Sequence, residues 1–338
     1  MKISEAVCFG AVPFVAGALA GCGGAPNPPS FAAAPQAVPA AGQSARGPSR
    51  MEKGLKQRDL LYVSNANGTV NVYRYWQRTL VGVLTDFKQP MGACADSAGD
   101  VYIVDYQSQK IYKYHHGGTK PIAELDDSPY KPWACSVAPA NGNLAVANSP
   151  YGTYAKGGNV AIYARGSGKP TILQGNGEHF TGCAYDDRGD LLVATEYRYS
   201  PFWYDQFYYL PKHGTKLLPM ALPVLGSYSS HFGVVAGLAW DGNYWVVGPV
   251  YDQLFLYSIN IKARYIGKIT LNGGYPYAGP IWIYRKNLES RGTQAVAGNG
   301  ESNGVVSYWK YPAGGSAIGE ITEDLDAPFG VAVSMGTP

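Results

Sequence analysis

Apolar and polar residues alternate along most of this chain in short bursts, and the bursts recur with one internal order. A turn-forming pair leads into an alternating apolar run, a polar turn follows, and a Tyr-rich run comes next. The clearest copy is Pro90-Met-Gly-Ala-Cys-Ala-Asp-Ser-Ala-Gly-Asp-Val-Tyr-Ile-Val-Asp-Tyr106, continued by Lys110-Ile-Tyr-Lys-Tyr114 and Pro121-Ile-Ala-Glu-Leu125. Two-residue alternation bounded by Gly, Asn, Asp and Pro predicts strands, and the repeat region keeps no 3.6-residue period over a useful length.

The glycine of the first polar turn aligns the copies. Gly99, Gly142, Gly189 and Gly242 are spaced by 43, 47 and 53 residues. That period belongs to units of four strands, each too small to bury its own face, and not to the shorter helical repeats. Six units are readable, with second strands starting near Leu61, Val101, Leu144, Leu191, Tyr244 and Ala295. The first unit lacks an innermost strand, and the orphan copy Pro328-Phe-Gly-Val-Ala-Val-Ser334 supplies it. The expectation is an all-β, six-bladed β-propeller of four-stranded antiparallel blades. Its ring is closed by the C-terminal strand joining the N-terminal blade, which removes open sheet edges. A two-sheet sandwich is the alternative, but it does not explain the split first unit.

Ahead of each turn stands Gly-x-x-x-Asp or a near variant: Gly92-Ala-Cys-Ala-Asp96, Gly182-Cys-Ala-Tyr-Asp186 and Gly237-Leu-Ala-Trp-Asp241. Small residues there suit strands crowded around a central channel. After the turn come runs such as Val101-Tyr-Ile-Val104 and Leu191-Leu-Val-Ala194. Together these motifs, carried by 92–104, 182–194 and 237–247 and more loosely by 135–147, resemble the NHL-repeat and gluconolactonase-like propellers. The resemblance spans Leu60 to Ser334. It implies the fold, and its activity is that of either enzymes or scaffolds. The enzymes of that group hold a divalent metal at the channel mouth with acidic and Asn side chains. No position here matches those ligands one by one, so no metal ligand is assigned and no cofactor is expected.

The chain opens differently. Met1-Lys-Ile precedes an apolar stretch that ends at Leu19-Ala-Gly-Cys22. Its charged, apolar and small-residue layout is that of a signal peptide over 1–21, and it is too short to span a bilayer. The closing cysteine resembles the bacterial lipobox, which implies that Cys22 is acylated; an ordinary secretory signal is the alternative. Residues 22–57 are rich in Pro, Ala and Gly and read as a disordered tether, leaving 58–338 as the propeller. The expected location is the cell envelope, with the chain held through Cys22 to a bacterial membrane and facing the periplasm or the exterior.

Charged residues make up only 15% of the chain and the formal net charge is +3, so nothing favours nucleic acid. Cys94, Cys135 and Cys183 fall on three different innermost strands. An odd count so distributed argues against disulfides and for small buried apolar groups. A monomer is expected.

Function should lie where the repeat varies. Connections between blades share one propeller face with those between second and third strands. On that face the sequence places Tyr130, Trp133, Tyr154, His179, His231 and Tyr277, together with an aromatic loop 196–204 containing Tyr197, Tyr199, Trp203 and Tyr204. The opposite face carries plain turns. Tyr and Trp offer rigid contact area with a polar handle, so these residues form a candidate surface for a glycan, peptide or protein ligand. His179 and His231, each followed by Phe, occupy matching connectors and read as surface histidines or as a converging pair. Asp186-Asp-Arg-Gly-Asp190 reads as a β-turn in which Asp bonds its own backbone.

No nucleophile elbow, zinc-protease motif, Walker A or EF-hand is present. The reading is a membrane-anchored, non-catalytic binding or scaffold propeller. A metal-dependent lactonase-like or lyase-like enzyme, and a structural role in an envelope assembly, stand as alternatives.

Overall fold

The structure is a computed structural model that describes residues 47–149, 157–176, 179–199, 202–225, 237–250, 252–273, 281–285, 294–298 and 304–337. The molecule is a β-propeller of antiparallel blades, four-stranded at their core. Among the described residues the strands form six sheets. The second sheet shows the plan: Pro90–Ala95, Val101–Asp105, Lys110–Tyr114 and Pro121–Asp126 are neighbours in that order. Third, fourth and sixth sheets repeat it, starting from Pro132–Val137, His179–Tyr185 and Ile281–Tyr284.

Two sheets carry a fifth strand that the repeat did not announce. In the first sheet, Arg50–Met51 covers the outer strand Thr79–Leu84, with Arg50 opposite Val83. Residues 50–57, expected within the tether, therefore belong to the domain, and Leu55 is buried in the core. Their polar composition hid an edge strand, which needs backbone partners more than apolar side chains. In the fifth sheet, Gly315–Ser316 adds in parallel to Ala263–Asn272.

The innermost strand of the first sheet comes from the far end of the chain. Pro328–Ser334 pairs antiparallel with Leu60–Asn65, with Ser334 opposite Leu60 and Gly330 opposite Ser64.

The core lies between sheets. One apolar cluster joins Leu60, Tyr62 and Val70 of the first sheet to Val101 and Ile103 of the second. Others join the second to the third, the third to the fourth, the fourth to the fifth and the fifth to the sixth. A further cluster brings Tyr284 and Tyr308 of the sixth sheet onto Leu61, Tyr73 and Tyr75 of the first. There Tyr75 stacks on Tyr284 with centroids 4.8 Å apart, and Tyr284 Oη donates to Asp59 at 2.8 Å.

Gly92 shows what the small innermost residues do. A Cβ there would lie 2.7 Å from Ala134 Cα in the neighbouring sheet. The glycine lets two inner backbones approach. The same closeness joins Cys94 and Cys135 in a disulfide with Cα atoms 5.7 Å apart, correcting the expectation of unpaired cysteines. The two lie on different strands but in adjacent sheets, where inner strands nearly touch. Cys183 stays free and buried, and burial pushes its thiol up to about 12.

No helix among the described residues is long and apolar enough to cross a membrane. The helical content described is one 3-10 turn, Ala164–Gly166.

Candidate functional site

The two ends of the sheets are chemically different. At one end are the first-to-second turns. There Asp186 Oδ1 accepts from the backbone N–H groups of Arg188, Gly189 and Asp190, each at 2.9 Å. Asp96 and Asp241 do the same for their own turns. These acids build turns, as the sequence indicates for Asp186.

At the other end the second strands of the first three sheets finish on a polar residue, and that of the fourth carries one inside Leu191–Tyr199. Asn65, Asp105, Asn148 and Glu196 occupy corresponding positions in the first four sheets, and all are buried. Asp105 accepts from the backbone N–H of Lys88 at 2.9 Å and of Gln89 at 2.7 Å, clamping the connector that enters its sheet. Asn65 Oδ1 accepts from Asp326 N at 3.2 Å. Asn148 Nδ2 donates to Asn159 Oδ1 at 2.9 Å. Glu196 departs from the pattern: it is 2% exposed, and among the described residues its Oε1 has no hydrogen-bond partner. Burial, reinforced by the Asp205 charge, pushes its carboxyl up to about 8. Asp127, 1% exposed, is pushed by burial to about 7, although Tyr163 Oη donates to it at 2.6 Å. The sequence shows Glu196 as the first residue of the stretch 196–204, but no local pattern announces the burial of Glu196, Asn65, Asp105 or Asn148.

The predicted site residues sort into three groups. Trp133 meets Tyr106 edge-on at 5.9 Å, and Lys131 Nζ stands 5.1 Å over the Tyr106 ring. Tyr130 is half-buried beside them, its N–H donating to Asp127 O at 2.9 Å. Tyr130 and Lys131 lie in the connector between the second and third sheets and Trp133 in the strand Pro132–Val137 that it enters; all stand by the second-to-third connection of the preceding sheet, so the two loop types do share a face.

His179 is a correction. It lies in the strand His179–Tyr185, is 5% exposed, and sets its Nδ1 3.1 Å from Ser149 Oγ. It is a buried bridge between the third and fourth sheets, not a surface histidine, because Glu196 stands opposite it in the ladder and fixes it within the sheet.

The stretch 196–204 is the second correction. It is not a loop: Leu191–Tyr199 and Phe202–Leu210 continue as one hairpin, with Tyr197 opposite Tyr204, Arg198 opposite Trp203 and Tyr199 opposite Phe202. Aromatic residues favour paired, pleated backbone, so the density of Tyr and Trp that suggested a recognition loop also extends the strands. Tyr154, His231, Tyr277 and Cys22 lie outside the described residues.

A channel cavity of about 270 Å³ runs among the innermost strands. Its wall is largely apolar, with Ala93, Ala134, Ala184, Leu238, Ile283 and Val331 from six different strands. It reaches Asp96 and Arg285 at the turn end. Among the described residues no group of three or more His, Cys, Asp or Glu is arranged to hold a metal.

Comparison with known proteins agrees with this geometry at the level of the fold. No family model and no curated protein matches the chain. A chain from the crystal structure of a nidogen/laminin complex superposes with a TM-score of 0.61 at 13% identity, covering 83% of this chain and all of that one. The likeness establishes the fold. It carries no activity across.

Proposed function

We propose that this chain is an envelope-anchored, non-catalytic binding propeller whose ligand docks on the aromatic face. The six sheets are read as six blades of one ring, closed by Pro328–Ser334. The apolar cluster between sixth and first sheets and the pairing of Ser334 with Leu60 support that reading. The anchor is read as an acyl group on Cys22, carried over from the lipobox resemblance.

The observation that carries the binding reading is the long hairpin of the fourth sheet. Its strands run nine residues each, beyond the three-residue outer strand Leu218–Met220. It brings Tyr197, Tyr199, Phe202, Trp203 and Tyr204 together at the end of the molecule that also carries Tyr106 and Trp133. Concentrated aromatic residues at one end of a propeller fit a partner better than they fit a scaffold alone. The nidogen/laminin structure is of a protein complex, so protein ligands join glycans and peptides in the screen.

The test is an array of glycans and peptides probed with the full chain, followed by Trp203→Ala and Tyr204→Ala. Loss of roughly tenfold or more in affinity with an unchanged melting temperature is the expected result. Unchanged binding of a confirmed hit would refute the site. Metabolic labelling with a radioactive fatty acid tests the anchor separately: label should enter the parent and not Cys22→Ser.

A further inference from the structure

The end of the molecule opposite the aromatic face carries short turns, and its third-to-fourth turns share an uncommon composition. Four consecutive sheets carry His115-His-Gly-Gly-Thr-Lys120, Ala164-Arg-Gly-Ser-Gly-Lys169, Pro211-Lys-His-Gly-Thr-Lys216 and Asn260-Ile-Lys262. Each ends on lysine, and none contains Asp or Glu. All four lysines are exposed, as are Arg165 and Lys212.

The acids at this end are already engaged. Asp96 and Asp100 pair with Lys113, Asp186 and Asp190 with Arg188, and Asp187 with Arg285. Of the outer-turn residues only His115 meets one of them, its Nδ1 2.9 Å from Asp100 Oδ1; among the described residues the turn lysines and Arg165 pair with no carboxylate.

Beside these cations stand most of the exposed large aliphatic side chains. Ile122 and Leu218 each follow a turn lysine by two positions, and Ile318 lies in the corresponding connection of the sixth sheet. Ile261, at a turn tip next to Lys262, is 86% exposed. A groove of about 290 Å³ between the third and fourth sheets opens on the same rim, lined by Lys212, His213, Asn143 and Thr215 over Leu173.

Lysines alone would suit any polyanion. Lysines alternating with protruding aliphatic tips suit a surface that offers phosphate at one depth and hydrocarbon just below it. We propose that this rim rests on an anionic lipid bilayer, with Lys120, Lys169, Lys216 and Lys262 on the headgroups and Ile261 in the interface. The aromatic face then points away from the membrane. This docking is independent of Cys22 acylation and of any ligand on the aromatic face.

The test uses the full chain with Cys22→Ser, so that no acyl chain contributes, and co-sedimentation with vesicles of phosphatidylglycerol and phosphatidylcholine in equal parts. Binding is expected at low salt, weakening as the Debye length shortens to about 8 Å near physiological ionic strength, and absent on pure phosphatidylcholine. Lys169→Gln, Lys212→Gln and Lys216→Gln combined should weaken it about a hundredfold, from a contribution near fivefold per lysine. Ile261→Ser should weaken it severalfold. These side chains are exposed, so melting temperatures should not move. Equal binding by the triple variant, equal binding to neutral vesicles, or capture by a soluble acidic polysaccharide with none by vesicles would overturn the proposal.

Discussion

Glu196 occupies a position that three other sheets fill with Asn65, Asp105 and Asn148, and its chemistry follows from the difference. Asp105 is short enough to reach two connector amides and is held as an acceptor. Glu196 is buried and among the described residues its Oε1 has no donor, so its carboxyl stays protonated up to about pH 8, well above the usual 4.5. Asp127 moves from 3.8 to about 7 for the same reason. Both folded-state values are raised. Below the unfolded values both states hold the protons, and stability does not change with pH. Between the unfolded and folded values the unfolded chain releases protons that the folded chain keeps, so stability falls as pH rises, levelling off above about 8. Urea midpoints measured at about pH 5 and about pH 8 should therefore decline in the parent. Glu196→Gln should flatten the Glu196 part of that slope, on the order of a few kcal/mol. A parent midpoint that does not change across this range would mean that these carboxyls are not buried in the folded protein.

At the scale of the element, the inner strands explain both what could be read and what could not. Strand starts at Val101, Leu144 and Leu191 coincide with those expected, because alternation and a polar turn are local signals. The turn role of Asp186 was equally local. Pairing of Cys94 with Cys135 was not legible. It depends on the approach of two inner strands from different sheets, which Gly92 permits and no local pattern encodes. The added strands Arg50–Met51 and Gly315–Ser316 were hidden for a related reason: two-residue edge strands need backbone partners and almost no side-chain signature. In the candidate site, residue identity at 196–204 was readable, but its hairpin geometry and the burial of His179 were set by cross-strand pairing. The disulfide joins residues separated by 41 positions, and a cross-link of that span stabilises by about 2–4 kcal/mol. Cys94→Ser with Cys135→Ser should lower the urea midpoint accordingly. Alkylation of the native, oxidised parent should leave the deeply buried Cys183 unlabelled until denaturant is added, and rapid labelling of Cys183 in the native state would contradict its placement.

At the scale of the molecule, the first sheet depends on the last strand. Pro328–Ser334 pairs along Leu60–Asn65 and packs Val331 and Val333 against the Tyr75, Tyr284 and Tyr308 seam. Removing it would expose a long apolar edge on Leu60–Asn65, a strand buried along its whole length. A chain ending at Asp326 should therefore fail to fold cooperatively, with early proteolysis and aggregation in place of a sharp thermal transition. That result alone would also follow from any loss of buried surface, so a second chain separates the explanations. Ser334 lies directly opposite Leu60 in an antiparallel pair. A short Gly-containing link from Met335 to Asp59 would make the two strands an ordinary inner hairpin, like Pro90–Ala95 and Val101–Asp105 in the second sheet. New termini can be placed in the exposed turn at Asn141 and Gly142. The permuted chain gives up Arg50–Met51 and Leu55, a small edge and one core side chain, but keeps every inner strand. It should fold, with a melting temperature lowered by roughly 5–10 °C and not abolished. If the truncated chain folds as well as the permuted one, the C-terminal strand does not close the sheet and the ring reading fails with it.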